Sequence, residues 1–413
     1  MACRPSSCVH DKYSFSCREV VQKTLKSPKL KSCFFSIYLQ PKLVHCLRVP
    51  EELSVVIACG GTGGHLFPGI AVAEELQRRG HRPLLLISQK KVDADASAKY
   101  GTLEFATVAA IAKPPTFSPR MLPFLWRLWK TVRQARKLLR DRRARAVIGM
   151  GGFTSLAPIH AGRKIGLATA IHDSNALPGK ANRLGARWCD RVLVGLDAAK
   201  DFFPGTEVVV TGTPVRGEFR ELPSRAEARE TFGLARDKPV VFSFGGSQGA
   251  RRLNTLVAEA ACILGTEVQW LQVAGREDEQ RVRLLVEPRE GHSIIGFCDD
   301  MPAAYAASDL VISRSGGASL CELAFLGMPS VLVPYPHAAD DHQTHNAKCF
   351  EQEGAAILAP EGELTGATLA KVVGDLLGDQ GRLASMRKSA RGLSVDDAAV
   401  KICNALTPTE ERF

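Results

Sequence analysis

Four glycines and a histidine crowd the run Cys59-Gly60-Gly61-Thr62-Gly63-Gly64-His65. It follows the apolar stretch Leu53-Ser54-Val55-Val56-Ile57-Ala58 and precedes a helix-like segment that opens with Pro68. Glycines between a strand and a helix let the backbone approach a ligand, and their N–H groups make a pocket for negative charge. A histidine beside such a pocket can move a proton near neutral pH. The combination points to phosphate chemistry with an acid/base residue attached. Two common nucleotide motifs do not fit. GxGxxG needs glycine at position 66, where Leu66 stands, and no Gly-Lys-Ser/Thr follows at P-loop spacing.

Further constellations follow strand-like runs. Gly245-Gly246-Ser247-Gln248-Gly249 offers backbone donors and a hydroxyl suited to phosphate, or a close-packed turn. Ser313-Arg314-Ser315-Gly316-Gly317-Ala318-Ser319-Leu320-Cys321-Glu322 sets two glycines and a carboxylate at a helix start. Glu322 there can accept two ribose hydroxyls, or simply complement the helix dipole. His337-Ala338-Ala339-Asp340-Asp341-His342-Gln343-Thr344-His345-Asn346 could read sugar hydroxyls or form a solvated loop. His342 and His345 share a helix face, but a zinc site needs a third ligand that the sequence does not single out, so no metal is expected. His172-Asp173-Ser174-Asn175 reads as a polar site or as an N-cap and turn. Asp93-Ala94-Asp95 imitates a DxD metal motif but lies away from the glycine loops.

The elements that must carry these residues alternate between strand and helix. Short apolar runs at 84–87, 146–148, 168–171, 191–194 and 208–210 argue a parallel sheet buried on both faces. The pattern restarts at Pro239-Val240-Val241-Phe242-Ser243-Phe244 and continues at 271–275, 293–296, 310–313 and 330–333. The fold class is therefore α/β, with two Rossmann-like domains joined near Gly212-Thr213-Pro214-Val215 and facing each other across a cleft. The expected limits are 1–52 for an extension, 53–215 for an N-terminal domain and 216–413 for a C-terminal domain. The last helix could pack back on the first domain.

Composition narrows the function classes. The chain has 413 residues, more than one core usually supports, and 45% apolar residues, as in ordinary globular proteins. No run reaches the roughly 20 apolar residues that span a bilayer. The net charge of +11 is local. Residues 1–50 hold nine Lys/Arg against two acids, and residues 113–145 hold eleven against Asp141 alone. With neither zinc-finger spacing nor an RNP motif, nucleic acid is not an expected partner. Twelve scattered cysteines without a CxxC pair fit reduced thiols. The basic, acid-poor first 52 residues read as a transit peptide, hence a plastid location, or as an extension outside the fold.

Within 113–145, Leu122, Leu125, Trp126, Trp129 and Val132 fall at helical spacing among Arg127, Lys130, Arg133, Arg136 and Lys137. Aromatics beside cations suit anionic lipid headgroups; the alternative is a core-packed stripe with a solvated basic face.

Taken together the chain resembles the MurG family, the peripheral membrane glycosyltransferases of peptidoglycan synthesis, over about residues 53 to 400. The resemblance rests on the ordered motifs Gly60–Gly69, Gly151-Gly152-Phe153, Gly212-Thr213-Pro214-Val215-Arg216, Gly245–Ala250 and His342-Gln343-Thr344-His345-Asn346-Ala347. It implies a two-domain GT-B fold and inverting transfer of GlcNAc from UDP-GlcNAc to the C4 hydroxyl of MurNAc in lipid I, giving lipid II. It implies no cofactor and a place on the cytoplasmic face of the plasma membrane. By the same resemblance Thr62, Gly63, Gly64, Asn175, Arg216, Ser247 and Gln343 face the donor. The Cys298 backbone reads the uracil, Gly317, Ala318, Ser319, Leu320 and Cys321 lie along the nucleotide, and Glu322 holds the ribose. His65 is the base candidate, His172 sits near the acceptor diphosphate, and Asp173 is a further catalytic candidate. Two departures are Asp173-Ser174 where the family commonly has Glu-Gln, and Phe153 in place of a frequent Tyr. The alternatives are a GT-B enzyme with another lipid-linked or glycolipid acceptor, or a non-catalytic nucleotide-sugar-binding membrane scaffold.

Overall fold

The computed structural model describes residues 52–89, 98–108, 119, 121–246, 250–286 and 290–406. Ser247, Asp93, Asp95 and nearly all of the N-terminal extension lie outside the described residues, as does part of the 113–120 stretch.

Two all-parallel sheets organise the chain. The first has seven strands: β1 (Ser54–Ala58), β2 (Arg82–Ile87), β3 (Glu104–Thr107), β4 (Ala146–Gly149), β5 (Ala168–Asp173), β6 (Arg191–Val194) and β7 (Glu207–Val210). Their order is β3-β2-β1-β4-β5-β6-β7. The second has six: β8 (Val240–Phe244), β9 (Gln269–Val273), β10 (His292–Ile295), β11 (Leu310–Ser313), β12 (Ser330–Leu332) and β13 (Ala356–Leu358), in the order β10-β9-β8-β11-β12-β13. Every residue of β1 and β8 is buried, as expected of central strands covered on both faces by helices. The order reverses direction at β1/β4 and at β8/β11, so each sheet opens a crevice beyond its strand ends there.

The helices that position the site are α1 (Gly63–Arg78), α2 (Met121–Asp141), α3 (Phe153–Lys164), α4 (Met301–Ala307), α5 (Gly317–Leu326), α6 (His342–Gln352) and α7 (Ala398–Leu406). The α1 helix begins at Gly63, five residues before Pro68. Pro68 lies inside this helix and cannot donate the bond that would reach the Gly64 carbonyl. α7 leaves the second sheet and packs on the first domain. Ile402, Cys403 and Leu406 join the core formed by Ile57, Ile70, Leu76 and Leu193. Arg79 fixes this return, donating to Asn404 Oδ1 at 2.7 Å and to the Val400 carbonyl at 3.2 Å.

Candidate functional site

At the end of β1 the chain turns tightly. The N–H groups of Cys59 and Gly60 both donate to the Leu86 carbonyl. A side chain at Gly60 would collide with the Ile87–Ser88 backbone, and Gly61 has φ +117°, which favours glycine. Thr62 is the N-cap of α1, yet its side chain makes no cap bond. Its Oγ1 lies 3.2 Å from His65 Nδ1 instead. The first-turn N–H groups at Gly63 and Gly64, which no helix can satisfy internally, are thus left without a side-chain cap. That is the arrangement an anionic ligand uses.

The His65 ring rests on a second glycine pair. Gly151 and Gly152 have φ +122° and +73°, and a Cβ on Gly151 would stand 2.7 Å from His65 Nε2. Gly151-Gly152 joins β4 to α3, and β4 pairs with β1. Thr154 Oγ1 donates to the Gly60 carbonyl at 2.7 Å, and Ser155 Oγ bonds the Ala58 and Gly151 carbonyls. The two glycine turns therefore form one shelf under the histidine. From sequence this pairing had one signal, two strands of one sheet each ending in Gly-Gly.

The His172–Asn175 segment closes β5 and opens the loop that follows it. His172 is fully buried at the end of β5, with Nε2 3.0 Å from the Gly212 carbonyl. Burial pushes its pKa down to about 4, so the ring is neutral. It is a buried histidine at the end of a central-sheet strand. Asp173, the last residue of β5, holds the loop that follows. Oδ1 accepts from the Asn175 backbone and side chain, and Oδ2 from Gly179 N and Asn182 Nδ2, at 2.8 to 3.0 Å. A carboxylate holding four N–H donors organises its loop. Asn175 is also engaged: its Nδ2 bonds Asp173, and its Oδ1 accepts from Asn346 Nδ2 at 3.0 Å.

Asn346 is the residue that the sequence reading left without a role. It lies on α6 and is fully buried. It accepts from Ala176 N at 2.8 Å and donates to Asn175 Oδ1 and to the Ser315 carbonyl, both at 3.0 Å. It thereby ties the loop after β5 to the loop after β11. Gly317 makes the companion contact, since a Cβ there would come within 2.7 Å of the Ser174 carbonyl oxygen.

The other second-domain residues divide. Gly245 and Gly246 follow β8, with Gly246 at φ +86°. Cys298 is buried beside exposed Phe297, over which the Arg276 guanidinium stacks at 4.8 Å. Ala318 and Ser319 are half-buried at the start of α5. The Leu320 side chain packs into the core with Phe242 and Leu323. Cys321 faces Thr213 of the connecting segment, and burial pushes its thiol up to about 11, keeping it protonated. Gln343 Oε1 accepts from Tyr335 N at 2.9 Å. Among the described residues no group of three His, Cys, Asp or Glu side chains is gathered as a metal site.

Arg216 and Glu322 form the charged centre of the junction. Arg216 is 6% and Glu322 8% exposed, and their side chains pair at 3.2 Å. The guanidinium also pairs with Glu218 at 2.6 Å and stacks on Phe67 of α1 at 4.2 Å and on Phe219 at 4.8 Å. Glu322 Oε2 accepts from the Tyr305 hydroxyl at 3.1 Å. Burial raises the Glu322 pKa, while Arg216 and Tyr305 act against that rise.

Away from these loops, α2 presents Leu122 (77% exposed), Leu125, Trp126 and Trp129 to solvent. Lys130 stacks on Trp126 and Arg133 on Trp129. Its other face, Thr131, Ala135 and Leu139, is buried. No helix among the described residues is long and apolar enough to cross a membrane.

Two parallel-sheet domains joined through Arg216–Glu322 and through Asn346 have the GT-B architecture of glycosyltransferases. The family models "Glycosyltransferase family 28 N-terminal domain" and "Glycosyltransferase family 28 C-terminal domain" match residues 55–194 and 240–402. The chain belongs to the MurG family within glycosyltransferase family 28. It is 33% identical over 369 residues to a protein of Geobacter metallireducens, covering 87% of this chain and 100% of that one. It is 37% identical over 353 residues to one of Halorhodospira halophila, covering 84% and 96%. Both are named UDP-N-acetylglucosamine–N-acetylmuramyl-(pentapeptide) pyrophosphoryl-undecaprenol N-acetylglucosamine transferase. Among solved structures, Acinetobacter baumannii MurG is similar with a TM-score of 0.68 and 26% identity, covering 86% of this chain and 99% of that one. A UDP-GlcNAc 2-epimerase of Neisseria meningitidis, at 15% identity and TM-score 0.62 over 86% and 99% of the two chains, shares the fold.

Proposed function

We propose that this chain transfers GlcNAc from UDP-GlcNAc to the C4 hydroxyl of MurNAc in lipid I with inversion, at the cytoplasmic face of the plasma membrane. The observation that carries the reading is the contact between α1 and the charged centre of the second domain. Phe67 of α1 stacks on Arg216, and Arg216 pairs with Glu322. The helix that starts at the first glycine turn thus reaches the carboxylate of the other domain.

In the reaction the C4 oxygen forms a bond to the anomeric carbon as His65 takes its proton. The bond from that carbon to the β-phosphate oxygen breaks, and its electron pair leaves with UDP. The uncapped N–H groups at the start of α1 and the Arg216 guanidinium are positioned to meet the charge that develops on the diphosphate. Glu322 accepts the ribose hydroxyls. Thr62 orients the His65 ring through Nδ1. The apolar and cationic face of α2 rests on anionic lipid, which holds the acceptor beside the glycine shelf.

The test is UDP release with a lipid I analogue. The wild-type chain should release UDP from UDP-GlcNAc only with a muramyl lipid present. His65→Ala should lower turnover roughly 100-fold or more while UDP still binds. Absence of turnover with any muramyl lipid would overturn the acceptor assignment.

A further inference from the structure

The carboxylate of Glu322 is held from two sides. Arg216 approaches Oε1 from the segment joining the domains, and Tyr305 approaches Oε2 from α4. Tyr305 is 1% exposed and boxed by aromatic rings. Phe219 lies at 5.7 Å, Phe242 at 5.4 Å and Phe244 at 6.1 Å between centroids, each near edge-on. Such packing locks the ring, so the hydroxyl can point in one direction only, at Glu322. Burial and the nearby carboxylate raise the Tyr305 pKa well above its ordinary value, so the hydroxyl stays a donor.

A carboxylate has about four acceptor positions, two on each oxygen. Arg216 and Tyr305 occupy one on each oxygen, leaving one on each for two neighbouring hydroxyls. Without the Tyr305 donor, a carboxylate on this helix could rotate about its last bond, and its two oxygens would lose their fixed spacing.

We propose that Tyr305 is a positioning residue, whose hydroxyl fixes the Glu322 carboxylate so that both oxygens meet a vicinal diol, the ribose of a uridine nucleotide. The inference rests on the donor-site reading given above. Tyr305 acts through Glu322 alone and touches no substrate.

The consequence is a ligand-dependent mutational effect. Isothermal titration of the full chain with UDP and with 2′,3′-dideoxyuridine diphosphate reads it. The wild-type chain should bind the dideoxy nucleotide at least about tenfold more weakly than UDP, for the loss of hydrogen bonds to a charged acceptor. Tyr305→Phe should weaken UDP binding about tenfold and leave dideoxy binding unchanged, and it should raise the KM for UDP-GlcNAc more than it lowers kcat. In a Glu322→Gln background the same substitution should change UDP binding less than twofold. An equal loss for both nucleotides would mean a merely structural role and would overturn the proposal. Equal wild-type affinity for the two nucleotides would overturn the ribose assignment of Glu322, and the positioning role with it. Far-UV circular dichroism of each variant confirms that the fold is retained.

Discussion

His65 and Gly151 are shaped for each other: a methyl group at Gly151 would stand 2.7 Å from His65 Nε2. The two residues come from turns 86 positions apart in the chain, yet β1 and β4 are neighbours, so their strand ends coincide. The ring is thereby fixed by Thr62 on one side and by bare backbone on the other. A proton carrier placed this way loses little freedom when substrate arrives, which is how positioning lowers a barrier.

Gly151→Ala tests that relationship directly. The substitution forces an alanine to φ +122° and pushes a methyl group into the imidazole. Strain of about 1–3 kcal/mol would be relieved by moving the histidine. Turnover should fall roughly 10- to 100-fold, since small displacements of a reacting group cost that much. UDP affinity should stay within about twofold, because the proposed nucleotide contacts lie mainly on the other domain. Steady-state UDP release and calorimetry separate the two readouts. Unchanged turnover would show that the shelf does not hold the base.

Asn346→Ala should weaken the junction between the two sheets. Three groups lose a partner together: Ala176 N, Asn175 Oδ1 and the Ser315 carbonyl. Unsatisfied buried polar groups in one network cost more than a single hydrogen bond, so a loss of about 2–4 kcal/mol is expected. Urea unfolding followed by fluorescence measures it. A loss below about 0.5 kcal/mol would mean that water replaces the amide and that the bridge is incidental.

The exposed aromatic and basic face of α2 gives a third expectation. The exposed Trp126 and Trp129 carry Lys130 and Arg133 against their rings, which places cations and aromatic surface at one level. Reversing charge at Arg127, Lys130 and Arg133 should remove most co-sedimentation with anionic vesicles. Trp126→Ala with Trp129→Ala should weaken it further at high salt, where the apolar contribution dominates. Since all five side chains are at least partly exposed, turnover with a detergent-soluble acceptor should be unaffected. Vesicle binding that survives charge reversal would remove this helix from the membrane surface.

The central strands were legible because β-branched and leucine runs such as Val55-Val56-Ile57 are buried on both faces and need no partner to be recognised. The edge strands Glu104–Thr107 and Ala356–Leu358 were not, because they are short and half-exposed and take their form from the neighbouring strand. At the site, glycine spacing exposed the loops, but not their pairing. That pairing depends on which strands are neighbours, and sequence order does not give it. The His172-Asp173 pair reads as chemistry in one dimension. In three dimensions, its place at the inner end of β5 turns both side chains to holding the β5 end and the loop that follows it. Asn346 was hidden for the opposite reason: one asparagine in a polar helix carries no signal until the loop it bonds, 170 residues earlier, is seen beside it.

His172 supplies a prediction about pH. Its Nε2 faces the Gly212 carbonyl, so the ring's proton sits there, and Nδ1 is buried without a partner. Adding a second proton would place a charge on Nδ1 with nothing to accept from it, and burial accordingly lowers the pKa to about 4. In the unfolded chain the same ring titrates near an ordinary value of about 6.5. Between these values the unfolded state binds the proton and the folded state does not, so stability falls as pH drops through this window. From pH 7 to pH 5 the loss from this one group should be about 2 kcal/mol. Urea unfolding of wild type and His172→Gln at both pH values isolates it. The variant should be less stable at pH 7, because a packed ring is replaced, but its stability should change less between the two pH values by about 2 kcal/mol. An identical pH dependence in both proteins would mean that His172 charges as readily inside the fold as outside it.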